Sequence, residues 1–234
     1  MVFKKGREVK IKDIMIGDYH EPKFIAEIGV NHLGSIERMK NMIKLSHQAG
    51  ADFLKFQTYK ADTRYDLKSN PKAKEFINLT ASWQLSDEEN VECWTYAKSL
   101  GARVFTSVYD TGEIKFCMDM GTIAFKIAAF ELVNLKLVNA VAETKLPIIA
   151  SVGMASEIEI DKFVKIVSKN NTPYILLHCV SSYPLEKKFS YLENIHTLKN
   201  RYGCPVGHSD HTYGIEIPSL AVACGASIIE KHFT

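Results

Sequence analysis

Short apolar runs alternate with longer amphipathic stretches along the whole chain. Runs such as IIAS and YILLH are almost continuously apolar, the pattern of parallel strands buried on both faces. On that basis strands are expected at Lys23–Ile28, Asp52–Gln57, Arg103–Ser107, Ala124–Ala128, Pro147–Ser151, Tyr174–His178, Pro205–His208 and Ser227–Glu230. The segments between them carry helix signals. Ser86 with Glu89, and Ser156 with Glu159, are S-x-x-E capping boxes, in which each side chain satisfies the other residue's free backbone donor. Gly50, Gly101 and Gly121 stand just before a strand, where a helix end accepts a left-handed residue. GIEIPSLAVACGA reads as a short helix, with Ala221 to Ala223 packing and Gly225 as its stop. One connection is long: Thr58 to Ser82 has the length of a functional lid or a disordered segment.

Eight strand–helix repeats, with no linker and no low-complexity segment, imply one α/β domain over residues 1–234. A closed (β/α)₈ TIM barrel accommodates that count better than an open sheet. Composition agrees, since 46% hydrophobic and 24% charged residues can build an ordinary globular core. The 29 basic and 27 acidic residues are interspersed, with a net charge of +2, which argues against a nucleic-acid groove or a membrane surface. No apolar run approaches the roughly 18 residues that would span a bilayer. The five cysteines (93, 117, 179, 204 and 224) are odd in number and form no CxxC, as expected of reduced thiols in a cytoplasmic protein.

In such a barrel the chemistry sits at the carboxyl ends of the strands. Those ends carry Glu27, Asn31 and His32, then Lys55 and Gln57, Thr106 and Ser107, Lys126 and Glu131, and Ser151. They continue with His178 and Tyr183, then Ser209, Asp210 and His211, and finally Glu230, Lys231 and His232. Two lysines inside strands are informative, because a buried ammonium is costly without a paired anion. Lysines and hydroxyls converging on one mouth describe a phosphate or carboxylate site. The structural alternative pairs Lys55 and Lys126 with Glu27 and Glu131 as plain ion pairs. His211 in SDHT and His232 in EKHFT lie 21 residues apart, each closely following an apolar run and each beside a carboxylate. Two imidazoles there suit a divalent first-row cation with open positions, although a purely structural role for both histidines is the alternative.

Taken in order, EIGVNHLG, LKFQT, FKIA with FE, HCVSSYP, SDHT and EKHFT resemble the sialic acid synthase family, which includes the N-acetylneuraminate, pseudaminic and legionaminic acid synthases. The resemblance spans roughly Glu21 to Thr234. It implies a barrel enzyme that condenses phosphoenolpyruvate with an open-chain N-acetylated amino sugar and releases phosphate. It also implies a divalent metal, Mn²⁺ first, with Mg²⁺ or Co²⁺ as alternatives. By the same resemblance His211 and His232 match the metal ligands, and Lys55, Lys126, Ser151 and Ser209 match residues that hold phosphoenolpyruvate. Gln57 and Tyr183 match contacts near the sugar, and Glu27 and Glu131 match acidic residues that handle protons.

Some positions depart from the family pattern. Ala129 stands where the family commonly has a serine after the KI lysine motif, which removes one hydroxyl from the anion site. Thr106-Ser107-Val108 replaces an S-T-P, so Ser107 stands in for a threonine. KIAAFE, with Phe130, is nearer to the pseudaminic pattern than to the neuraminate one. The sequence ends on the last strand, so the expected barrel stops at strand eight. It would then lack the following helix, an acidic sugar contact and the family's small C-terminal antifreeze-like domain. That domain lends an arginine to the partner subunit, which implies a homodimer for the full-length protein. Three competing readings remain: a phosphoenolpyruvate–sugar phosphate synthase, a Schiff-base aldolase using Lys55 or Lys126, and a shortened barrel that binds ligand without catalysis.

Overall fold

A computed structural model describes residues 7–64 and 71–233 of the protein. The chain opens with an antiparallel hairpin, β1 (Glu8–Ile11) and β2 (Ile14–Gly17), that the apolar pattern did not single out. Its inward residues Val9, Ile11 and Ile16 are buried. Asp18 anchors it, 2.9 Å from Arg7 and 2.7 Å from Lys199.

The eight expected strands are all present: β3 (Lys23–Gly29), β4 (Phe53–Gln57), β5 (Val104–Ser107), β6 (Phe125–Ile127), β7 (Ile148–Ser151), β8 (Tyr174–Cys179), β9 (Val206–Asp210) and β10 (Ile228–His232). They form a closed barrel in the order β10-β3-β4-β5-β6-β7-β8-β9, so the α/β TIM-barrel class read from the sequence holds. The boundaries shift by one or two residues, and the shifts matter. The last two strands run on to Asp210 and His232, so Ser209, Asp210, Lys231 and His232 lie within strands rather than beyond them.

The helices are α1 (Ile36–Gln48), α2 (Ala61–Arg64), α3 (Lys74–Trp83), α4 (Asp87–Ser99), α5 (Glu113–Asp119), α6 (Leu135–Glu143), α7 (Glu157–Lys169), α8 (Glu193–Tyr202) and α9 (Glu216–Ala223). Both capping boxes form, at the starts of α4 and α7. Gly50, Gly101 and Gly121 take positive φ at the helix ends, as read. The long connection after β4 is not a bare loop, for it carries α2 and α3; its residues 65–70 lie outside the described residues. In α9 the buried residues are Ile217, Pro218 and Ala221, whereas Ala223 is exposed and does not pack as expected.

Two compact units make up the chain. One contains the hairpin, the start of β3 and everything from Ile123 to Lys231. The other contains Ala26–Thr122 and the last residues from His232.

Candidate active site

In the unit containing Ala26–Thr122, adjacent strands set the side chains. The β4–β5 register places Lys55 beside Phe105 and Gln57 beside Ser107. Lys55 Nζ lies 2.6 Å from Glu27 Oε2 and donates to Ser107 Oγ at 3.2 Å. Gln57 Nε2 donates to the other carboxylate oxygen, Glu27 Oε1, at 2.7 Å. Glu27 and Lys55 are 3% and 4% exposed, so this is a dry contact pair. Gly29 turns the backbone beside it at φ +56°, where a Cβ would come within 2.9 Å of Glu27 Oε1. Glycine meets both demands, the left-handed backbone and the close approach. The amide of Phe233 donates to the Glu27 carbonyl at 2.9 Å, and Asn31 Nδ2 donates to the Phe233 carbonyl at 3.1 Å. Beyond Ser107, burial pushes the Tyr109 phenol up to about 12, opposed by the charges of Arg64 and Lys55. The Arg64 guanidinium sits over the Tyr109 ring at 4.2 Å and over Tyr59 at 4.8 Å.

The other unit repeats the same chemistry with different spacing. Lys126 Nζ donates to Ser151 Oγ at 2.7 Å and stands 3.8 Å from Glu230 Oε1. That oxygen also accepts from Ser209 Oγ at 2.8 Å, since the β9–β10 register sets Glu230 beside Ser209. The ion-pair alternative matched Lys126 with Glu131; Glu230 is a carboxylate at salt-bridge distance from that lysine. Glu131 is buried in a 3₁₀ turn after β6 and accepts from Asn134 Nδ2 at 2.9 Å.

His211 follows β9, and its Nδ1 donates to the Val180 carbonyl at 2.8 Å. That bond fixes the tautomer, leaving the lone pair on Nε2, the arrangement a metal-ligating histidine adopts. The exposed Tyr183 ring lies 3.9 Å from the His211 ring at 39°. His232 is the exposed last residue of β10. Among the described residues no group of three or more His, Cys, Asp or Glu side chains forms a metal cluster.

Around His211 lies a network to which the sequence reading gave no role. Burial alone would raise the Asp210 carboxyl, but hydrogen bonds from Lys231 and Thr212, with the His208 ring 3.6 Å away, hold it well below the usual carboxylate range. Lys231 Nζ bonds both Asp210 and, at 2.7 Å, the Thr212 carbonyl. His208 stacks on His178 with ring centroids 5.4 Å apart, and its Nδ1 donates to the His178 carbonyl at 3.1 Å. Burial lowers the His178 pKa, partly offset by its bond to the Ser190 carbonyl. The available signal was VGHSD itself, three polar residues in a strand whose five positions are all buried. Buried polar groups need partners, so such a run announces a network.

The fold and these strand ends define a TIM-barrel protein carrying buried lysine–serine–glutamate clusters. The chain belongs to the NeuB family, whose model matches residues 42–234. It is 35% identical to the N,N'-diacetyllegionaminic acid synthase of Legionella pneumophila, over 90% of this chain and 63% of that protein. It is 34% identical to a pseudaminic acid synthase of Campylobacter jejuni, over 94% of this chain and 68% of the relative. The crystal structure of N-acetylneuraminic acid synthetase from Leptospira borgpetersenii in complex with citrate matches with a TM-score of 0.91 and 37% identity. That match covers 98% of this chain and 79% of the other. The chain thus spans about two thirds of the length of the synthases it resembles.

Proposed function

We propose that this protein condenses phosphoenolpyruvate with the aldehyde form of an N-acetylated amino sugar, giving a nonulosonic acid and phosphate. The observation that carries the reading is the pair of buried lysine–serine–glutamate clusters at strand ends in a chain of the NeuB family. Lys55 with Ser107, and Lys126 with Ser151 and Ser209, would hold the substrate's carboxylate and phosphate and neutralise the departing phosphate. C3 of the enol phosphate forms the new bond to the aldehyde carbon, whose oxygen takes a proton. Water adds at C2, the C2–O bond to phosphate breaks, and the ketone of the product forms. Glu27, held by Lys55 and Gln57, is placed to carry the proton lost by that water. Glu131 is the second proton-handling carboxylate, and Gln57 and Tyr183 contact the sugar.

A divalent cation, Mn²⁺ first among the alternatives, fits the His211 tautomer, and His211 and His232 would hold it. When bound it supplies Lewis-acid polarisation of the aldehyde. Two features favour a diacetamido sugar over N-acetylmannosamine: the pseudaminic-type KIAAFE segment, and relatives named as legionaminic and pseudaminic acid synthases. The same reading makes the full-length protein a homodimer in the cytoplasm, with neither nucleic acid nor membrane as partner. Among the described residues no helix is long and apolar enough to cross a membrane.

The test is phosphate release from phosphoenolpyruvate with a panel of N-acetylmannosamine-type and diacetamido sugars, with and without chelator. Sugar-dependent release that chelator abolishes and Mn²⁺ restores is expected. Release with sugar phosphates alone, or pyruvate trapped on a lysine by borohydride, would replace the reading.

A further inference from the structure

We propose that His32 is a positioning residue for Glu27, acting through one buried water that holds the Gln57 amide. The inference rests on the role given above to Glu27. His32 follows β3 and is 3% exposed. Its Nδ1 accepts the Gly34 amide at 3.2 Å, so Nδ1 carries the lone pair and the proton sits on Nε2. Burial lowers the His32 pKa, and the neighbouring Arg38 lowers it further against Glu89, so the ring is neutral at physiological pH.

Among the described residues, Nε2 of His32 has no hydrogen-bond partner. Two acceptors nearby share that condition. Gln57 spends Nε2 on Glu27, which orients the amide and leaves Oε1 without a partner. Asn90 spends Nδ2 on the carbonyls of Leu85 and Ser86, which leaves its Oδ1 in the same state. His32, Gln57 and Asn90 all border one small cavity of about 10 Å³, walled also by Phe56 and Tyr59. That is about the room a single water needs, and a buried water needs two to four polar partners. The count matches: the water accepts from His32 and donates to Gln57 and Asn90. A line of hydrogen bonds then runs from His32 through the water and Gln57 to the Glu27–Lys55 pair. The fixed amide would hold the carboxylate in the orientation that proton transfer requires.

Two substitutions separate this role from a structural one. His32→Asn keeps an oxygen for the Gly34 amide but loses the Nε2 donor, while His32→Gln offers a donor at the Nε2 position and gives up the Gly34 acceptor. The Asn variant should keep its melting temperature and the KM for phosphoenolpyruvate while kcat falls roughly tenfold. The Gln variant should melt lower yet keep kcat within about threefold of the parent. Parental kcat in the Asn variant, or an equal fall in both, would overturn the inference. A high-resolution crystal structure tests it without activity: a water bonded to His32, Gln57 and Asn90 supports it, and a dry cavity overturns it. A parent protein that releases no phosphate with any sugar would remove the functional reading, leaving the crystallographic result to decide the positioning water.

Discussion

The two lysine clusters use the same three residue types and differ in who holds the carboxylate. In one, Glu27 meets Lys55 at 2.6 Å and Gln57 at 2.7 Å, with Ser107 bound to the lysine. In the other, Glu230 is bound by Ser209 at 2.8 Å and stands 3.8 Å from Lys126, which bonds Ser151 at 2.7 Å. The first is a contact ion pair with an amide brace. The second is an ammonium and a carboxylate each held by a hydroxyl. Coulomb energy falls with separation, and desolvation is offset only by close, well-bonded partners. The Glu27 cluster therefore depends more tightly on its partner charge for stability, whereas the Lys126 cluster leaves hydroxyls beside the charge, an arrangement suited to an anion's oxygens.

The sharpest break of that contrast is Lys55→Met. It strands Glu27 in a dry site and should cost about 3–5 kcal/mol in urea denaturation. Adding Glu27→Gln should recover much of the loss. Lys126→Met should cost less, because Lys126 stands 3.8 Å from Glu230 whereas Lys55 contacts Glu27 at 2.6 Å, and equal losses would erase the distinction drawn between the clusters.

Next comes the ligand. Phosphoenolpyruvate should raise the melting temperature, and Lys126→Ala or Lys55→Ala should each weaken its binding roughly tenfold or more, for a charged hydrogen bond worth about 1.5–3 kcal/mol. Variants that are destabilised without ligand but bind normally would make both clusters purely structural.

The capping boxes supply a control, one in each unit. Ser86→Ala and Ser156→Ala should each cost about 1 kcal/mol, with no change in ligand affinity. A unit that tolerates its lost cap markedly better than the other would show that the two differ in stability beyond their clusters.

The smallest expected effect is in pH dependence, where one carboxylate from each unit gives opposite signs. Burial would raise Asp18, but Lys199 and Arg7 bring it below its ordinary value. The stabilisation this supplies is present above the ordinary carboxylate range and is lost as pH falls through the lowered pKa. Burial raises Glu113 despite the backbone amides of Tyr109, Lys60 and Asp110. Its contribution is therefore fullest below the ordinary value and declines as pH rises through the raised one. Melting temperatures of Asp18→Asn against the parent should converge at low pH; a constant gap would show that Asp18 acts by hydrogen bonding alone.

Much of this was legible in the sequence, for local reasons. A strand buried on both faces must be apolar throughout, so IIAS and YILLH announce themselves whatever surrounds them. A capping box closes within four residues, so Ser86 and Ser156 needed no tertiary information. Lys55 and Lys126 stood out because an ammonium within a barrel strand needs an anion. The hairpin Glu8–Gly17 was missed because β1 (EVKI) alternates charge with apolar residues and β2 (IMIG) is only four residues long, flanked by charge. Helix α3 was missed because Thr58–Ser82 was judged by length rather than by the period of KEFINLTASW.

What the sequence determined by itself was therefore the repeat, the barrel and the residue types gathered at its strand ends. Tertiary structure alone decided the partners. Strand register set Glu230 beside Ser209, and that in turn brought Glu230 to salt-bridge distance from Lys126. A backbone carbonyl 31 residues away chose the His211 tautomer. A carboxylate chose which way the Gln57 amide points. Each of those choices depends on atoms meeting within about 3 Å, and residues distant along the chain reach that range only once the strands have paired.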